Sequence, residues 1–331
     1  MSYLKNKRVV LFSPKFFDYP AHIINELHQK GAIVEFFDER PFTSTIGKIL
    51  LRLNVSILIS YFVKKYYESK LNKIKSFNPD FVFFLNPESI RIEMLRHYKE
   101  SLPRCKFLFY MWDSFNNKKY SVNYIKYADE FFTFDKNDAK TFDVHHLALF
   151  YASDYEQLRQ VKSDLEYDLC FIGTVHSHRI EILNILAGKV SGKNYIFLYC
   201  PSKLLFFLKK ILTREFDNIS YKQVSFEPIK KDQLLKVISR SKCIIDISHP
   251  AQNGLTMRTI EMLGAGKKIA TTNANIACYD FFNPNMHYII RYPVKPIPPD
   301  FINIHFESNK SQDSYSLSCW LDSIFRKNSE T

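Results

Sequence analysis

Short runs of β-branched and aromatic residues alternate with longer stretches of helical periodicity along this chain, and that alternation limits the folds open to it. Strands are expected at Arg8–Ser13, Ala32–Phe37, Phe81–Asn86, Lys106–Met111 and Glu130–Phe134, with a further strand-like stretch at His146–Tyr151. Strand and helix in turn argue for a parallel sheet flanked by helices. The polar stretch Asp154–Glu166 breaks the pattern, and the same grammar then restarts. Strands are expected at Leu169–Ile172, Tyr195–Tyr199, Ile219–Val224, Cys243–Ile247 and Lys268–Thr272, with helices at Asp232–Ser239, Met257–Leu263 and Tyr315–Phe325. A chain of 331 residues is long for one unit, since domains cluster near ~100–150 residues. The expected architecture is α/β: two Rossmann-like, doubly wound domains over 1–156 and 157–310, a C-terminal helix or tail over 311–331, and a ligand cleft between the domains at the carboxyl ends of the strands.

Charge narrows the partners. Lys and Arg number 46 against 34 Asp and Glu, a net +12, and such a surplus reports an anionic partner. Ser44–Asn78 holds seven basic residues and one acid, a net of six, and Ser202–Arg214 adds four basic residues and no acid, so these segments supply ten of the twelve charges. Both intersperse their charges with Leu, Ile and Phe. They read as basic amphipathic segments suited to anionic lipid, or as helices packed on a sheet with lysines reaching outward. Nucleic acid is disfavoured, because no recognition motif accompanies the charge. No segment reaches the ~18–20 apolar residues of a membrane span, and the opening strand is too short for a signal sequence. The six scattered cysteines read as reduced core residues. The expected setting is therefore cytoplasmic and peripheral, on the cytosolic face of an inner membrane.

Glycine is scarce, yet three of the eight, Gly254, Gly264 and Gly266, cluster in Ile244–Asn273, IIDISHPAQNGLTMRTIEMLGAGKKIATTN. The order is strand, loop of small and polar residues, helix, turn, strand. A loop feeding a helix N-terminus aims backbone N–H groups at an anion. Arg258 lies about a turn into that helix and Glu261 three residues later on roughly the same face. A cation near a diphosphate and a carboxylate near a ribose would be a sensible pairing; a solvated surface pair is the plainer reading. His249 is a substrate contact or a residue that structures the loop.

This window resembles the donor-binding segment of GT-B glycosyltransferases, particularly the group 1 and CgeB-like branches. Glu261 matches the second glutamate of the family's E-x7-E pattern, and Asn253 stands where the first would be. YDLCFIGTVHSHR (Tyr167–Arg179) resembles the opening strand of the family's C-terminal domain, so Gly173, Thr174 and Arg179 carry over as groups near the donor phosphates. FYMWDSF, ADEFFTFDKND and HHLALFYASDY resemble the CgeB-like N-terminal domain, although the glycine loop many members place after their first strand is absent from SPKFFDYP. The resemblance covers roughly Lys106–Asn273. It implies transfer of a sugar from a nucleotide diphosphate-sugar to a lipid-linked or polysaccharide acceptor, in the setting of bacterial O-antigen or capsule assembly.

In that scheme Arg258, Arg179 and Gly173 serve the diphosphate, Glu261 the ribose, and Asn253 and His249 the sugar. Gln252, Gly254, Leu255 and Thr256 complete the donor loop, and Ser225, Phe226 and Glu227 of SFEP lie by the base. Asp113, closing an expected strand, is the candidate base for the acceptor hydroxyl or else a turn residue; Asp18 is a second candidate. Positive side chains and helix termini can stabilise a departing diphosphate, so no cofactor and no metal are expected. The sequence contains no D-x-D pair, HExxH, GxSxG, Walker A or GxGxxG, and His176 and His178 lack further spaced ligands. The competing class is a non-catalytic GT-B-like protein of polysaccharide or spore-coat assembly, for which Asn253 is the main support.

Overall fold

The computed structural model describes residues 3–41, 57–161, 163–187, 192–212, 216, 219–249, 252–304 and 310–329. It divides into two units, Met1–Leu149 with Leu317–Thr331, and Phe150–Ser316. Each is a doubly wound α/β unit on a six-stranded parallel sheet.

The first sheet is built from β1 (Arg8–Ser13), β2 (Ile33–Asp38), β3 (Phe81–Leu85), β4 (Lys106–Met111), β5 (Glu130–Thr133) and β6 (His145–His146), in the order β2-β1-β3-β4-β5-β6. Helices α1 (Tyr19–Gln29), α2 (Ile57–Phe77), α3 (Ile92–Ser101) and α4 (Lys136–Phe142) connect them. Parallel strands are covered on both faces, which is why β3 is FVFFL and buried throughout. On one face Phe12, Phe84, Phe109 and Phe131 stack across four neighbouring strands with centroids 4.9, 4.8 and 5.7 Å apart. Val63, Tyr67, Leu71 and Ile74 of α2 pack on that side. Of the basic segment Ser44–Asn78, residues 44–56 lie outside the described residues, and this buried stripe identifies the rest as a core-packing helix.

The second sheet comprises β7 (Tyr167–Thr174), β8 (Asn194–Tyr199), β9 (Val224–Ser225), β10 (Ser241–Asp246), β11 (Lys268–Thr271) and β12 (His287–Ile289), in the order β12-β11-β10-β7-β8-β9. Its described helices are α5 (Ser153–Gln157), α6 (Ser177–Ala187), α7 (Lys203–Leu212), α8 (Lys231–Ser239), α9 (Met257–Gly264) and α10 (Pro299–Asn303). The strand expected at Ile219–Val224 shrinks to two residues. Ser220 closes a capping box over the 3₁₀ turn Tyr221–Gln223, committing those backbone groups to the turn. Strand β12 escapes the sequence reading because three residues carry no measurable period.

The last helix, α11 (Leu317–Ser329), belongs to the first unit. Trp320 lies 4.7 Å from Tyr110, and Phe325 lies 5.5 Å from Phe83, so this helix covers the sheet face opposite the phenylalanine stack. Of the segment expected as a C-terminal helix or tail, Leu317–Ser329 is the helix and its apolar side completes the first unit's core, whereas the residues up to Ser316 belong to the second unit. The chain also divides at Leu149/Phe150 rather than at 156/157. Tyr151 N donates to Tyr315 O at 3.0 Å and bridges Ser316, so the strands of chain entering and leaving the second unit run side by side. A Cβ on Gly264 would come within 2.4 Å of the Tyr151 ring, so α9 takes this segment at a distance only glycine allows. No helix among the described residues is long and apolar enough to cross a membrane.

Truncating Trp320 tests the return of α11. Trp320→Ala should cost about 3–5 kcal/mol in the denaturant unfolding of the first unit and leave the second unit's transition in place. Equal loss in both transitions would contradict this assignment.

Candidate active site

In a doubly wound sheet, ligands bind beyond the carboxyl ends of the strands, where the strand order reverses. In the second unit that point lies between β7 and β10, which pair directly. The segments the sequence singles out follow these two strands: Gly173, Thr174 and Arg179 after β7, and the loop from Ile247 to Thr256 after β10.

The loop is fixed by a buried carboxylate. Asp246 Oδ2 accepts from Thr256 Oγ1 and Thr259 Oγ1, both at 2.8 Å, and from Thr271 Oγ1 at 3.3 Å. One carboxylate therefore joins β10 to α9 and β11. Thr256 caps α9, its Oγ1 accepting from Thr259 N. Just past β11, buried Asn273 donates through Nδ2 to Gly254 O at 3.0 Å and Asn253 O at 3.4 Å, and Asn275 Nδ2 reaches Asn253 O at 3.0 Å. Gln252 Nε2 donates to Gly254 O at 3.1 Å. These amides hold the backbone of the loop while the side chains of Asn253 and His249 stay exposed. Gly254 and Leu255 are buried, so Leu255 anchors the loop in the core. Pro250 and Ala251 lie outside the described residues.

Two arginines stand at this reversal point. Arg179 Nη1 donates to Thr174 O at 3.1 Å and to Thr174 Oγ1 at 2.8 Å. Burial lowers the pKa of its guanidinium, and the charge of Asp246 acts in the opposite sense. Gly173 lies beneath: a Cβ there would meet the Phe171 ring at 2.8 Å. Arg258 lies 3.7 Å from Glu261, the expected same-face pair. Glu261 is buried rather than solvated, and Tyr155 of α5 bonds to its carboxylate; burial first, and Glu261 second, push the Tyr155 phenol well above its usual range. Ser225 ends edge strand β9, two places from β7, and Phe226 and Glu227 follow it. Ser225 Oγ donates to Glu227 O and accepts from Glu227 N, closing a tight turn. His176 is exposed.

In the first unit the order reverses between β1 and β3. Asp113, just past β4, accepts from Asn86 Nδ2 at 3.0 Å and lies 3.7 Å from Lys118 Nζ. Asn86 is buried at φ +50°, a conformation asparagine tolerates better than most residues. Lys118 also pairs with Glu88, whose other oxygen is 2.6 Å from Arg40 Nε. Beneath this chain of charges, fully buried Glu39 accepts from the amides of Glu88 and Ser89 at 2.8 and 2.5 Å. Burial pushes the Glu39 carboxyl up to about 7, against the downward pull of the Ser89 and Glu88 bonds. Beside Asp113, Trp112 joins Phe16 at 6.1 Å and Tyr19 at 6.3 Å. Asp18, the second candidate, pairs with His22 at 3.3 Å.

Asp246, Asn273, Tyr155, Asn86 and Lys118 were not legible as site residues in the sequence. The one signal was an acid closing the buried run IIDI; the others acquire their role from strands distant in sequence.

No protein-family model and no curated protein matches this sequence. Solved structures do. Anabaena HepE in complex with UDP and glucose matches at 12% identity over 97% of this chain and 96% of that one, with a TM-score of 0.53. The E. coli trehalose-6-phosphate structure bound with UDP-2-fluoro glucose matches at 10% over 98% and 99%, with a TM-score of 0.60. The α,α-trehalose 6-phosphate synthase of Burkholderia multivorans matches at 8% over 98% and 96%, also at 0.60. At such identities the likeness is one of fold: the two parallel six-stranded units follow the GT-B class.

Two stability measurements probe these arrangements. Asp246→Ala strands three threonine hydroxyls and should cost about 3 kcal/mol or more in the unfolding of the second unit, with faster proteolysis of the 247–256 loop; an unchanged midpoint would contradict the hub. Glu39 carries a pH signature. Its folded pKa of about 7 exceeds the ordinary 4.5, so its contribution is full below pH ~4.5 and is lost as pH rises through ~7. Glu39→Gln should flatten the fall in the first unit's denaturation midpoint across that window.

Proposed function

We propose that this protein is a metal-independent glycosyltransferase that takes a sugar from a nucleotide diphosphate-sugar and passes it to a lipid-linked or polysaccharide acceptor. The observation that carries the reading is the clamped loop and helix at the reversal of the second sheet, with Arg179 and Arg258 beside it. The ligands named with the structural neighbours, UDP with glucose and UDP-2-fluoro glucose, make a uridine diphosphate-sugar the first donor to try.

The chemistry follows from charge. As the bond between the sugar's anomeric carbon and the diphosphate oxygen breaks, negative charge gathers on the leaving group. Arg179, Arg258 and the amide end of α9 offer stabilisation without reorganisation, because the Asp246, Asn273 and Tyr155 contacts have already fixed the loop and helix. Gly173, packed on the Phe171 ring beside Arg179, stands by the diphosphate, and Glu261 serves the ribose while aligning Arg258. Asn253 and His249 serve the sugar, and Ser225–Glu227 the base. Asp113, oriented by Asn86 and Lys118, takes the proton of the acceptor hydroxyl as its oxygen bonds to the anomeric carbon. The lack of a D-x-D pair supports charge stabilisation by side chains. Bacterial O-antigen or capsule assembly, on the cytosolic face of the inner membrane, is the proposed setting.

Asn253 favours a second reading, a GT-B-like protein that binds polysaccharide without turnover, since a carboxylate expected against the donor sugar is absent. A panel of UDP-, GDP- and CMP-sugars separates the two. One donor should be hydrolysed or transferred, and Glu261→Ala should lower kcat/KM for it at least ~10-fold, the loss of about one charged contact. Nucleotide binding without turnover would favour the second reading. Unchanged kinetics in Glu261→Ala would refute the role given to Glu261.

A further inference from the structure

Helix α7 turns its apolar surface away from the fold. Its sequence, KLLFFLKKIL, buries only Phe206, 1% exposed, which packs on Phe216, Tyr221 and Phe226. Leu204, Leu205, Phe207, Leu208, Ile211 and Leu212 are all exposed, Leu204 at 68% and Ile211 and Leu212 at 73%. At about 100° per residue these six positions fill one continuous arc of roughly 160°, with Phe206 on the opposite side. Tyr221 stacks on Phe207 at 5.8 Å and widens the arc. In α2, by contrast, Val63, Tyr67, Leu71 and Ile74 form a buried stripe along the helix, and Tyr61 and Phe62 near its start are exposed.

The charges border this arc. Lys209 lies at one boundary, Lys203 and Lys210 at the other, and α7 contains no acid. Each ammonium lies over a ring of the protein: Lys209 Nζ over Phe216 at 5.2 Å, Lys210 Nζ over Phe206 at 5.9 Å, Lys203 Nζ over Phe226 at 6.0 Å. Lys210 Nζ also donates to Ile219 O at 3.0 Å. The ammonium groups are thereby held at the boundary between apolar arc and protein. An apolar face rimmed on both sides by cations matches the chemistry of an interfacial helix, with leucines among acyl chains and lysines at anionic headgroups.

We propose that α7 is the surface by which the second unit lies on an anionic lipid bilayer. The proposal deepens the lipid-linked-acceptor reading and rests on it for its biological purpose: the unit carrying the donor site is brought to the surface that holds the acceptor. The sequence alone offered two basic segments of similar character; burial distinguishes them, since the described part of the first spends its apolar stripe on the core.

The test is co-sedimentation of the full chain with phosphatidylcholine vesicles, with and without phosphatidylglycerol. The chain should sediment with the anionic vesicles. Leu204→Asp with Ile211→Asp, both at exposed positions, should abolish this while keeping the thermal midpoint. Lys203→Gln, Lys209→Gln and Lys210→Gln together should weaken the anionic preference on the order of a hundredfold and supply a second arm if the aspartate pair does not fold. Wild-type chain that stays in the supernatant, or binding that survives both variants, overturns the proposal. So does a dimer in the absence of vesicles that the aspartate pair dissociates, which would give the arc to a second copy. UDP binding measured without vesicles keeps the two readings apart. Absence of binding to UDP and likewise to GDP and CMP, beside α7-dependent sedimentation, rejects glycosyl transfer alone, and donor turnover without sedimentation rejects the docking surface alone.

Discussion

A parallel sheet cannot leave a face in water, because its strands are joined by crossovers that lay helices on both sides and its residues are apolar throughout. That requirement organises both units. It explains why β3 and β4 are runs of Phe, Val, Leu and Tyr without alternation. It also explains why four phenylalanines stack across the first sheet. The same requirement recruits α11 from the far end of the chain: without Trp320, Leu321, Ile324 and Phe325, the face carrying Phe83 and Tyr110 would lack much of its cover.

Once every strand runs the same way, all carboxyl ends lie on one edge, and that edge is where loops can diverge without disturbing the core. In the second unit Asp246 converts the edge into a rigid one. A buried carboxylate with a single hydroxyl donor would be costly; with three it ties β10, α9 and β11 into one piece. The Asn273 and Asn275 amides extend that rigidity to Asn253 and Gly254. The exposed side chains at the tip are therefore displayed from a fixed backbone, the preorganisation on which the proposed transfer would draw. In the first unit Asp113 is held similarly, by Asn86 and by the Arg40–Glu88–Lys118 chain resting on Glu39.

The sequence reading was accurate where a pattern is local. Both Arg8–Ser13 and Lys106–Met111 are strands with the expected bounds, and Met257–Leu263 is a helix that runs one residue further. It failed where the signal is short or shared with another outcome. Ile219–Val224 has strand composition, yet a capping box won most of it. Strand β12 is three residues long. Of the candidate site, the sequence groups Arg179 with Thr174 and Gly173, and Arg258 with Glu261, and the structure keeps each group together because its members lie within a few residues. The solvated-pair alternative for Glu261 fails, because the carboxylate is buried against Tyr155, a partner more than a hundred residues earlier whose approach no local pattern announces.

What the sequence determined by itself is the α/β class, the two-unit organisation, and the position of the glycine-bearing loop and helix, since periodicity, chain length and glycine placement are local quantities. What the tertiary structure decided is which apolar faces are spent. The stripes of α2 and α7 both carry lysines, but α2 meets the sheet through Val63, Tyr67, Leu71 and Ile74, whereas α7 meets it through Phe206 alone. Amphipathic helices of this kind cannot be told apart in one dimension, because hydrophobicity reports that a face must leave water and says nothing of whether protein or lipid receives it.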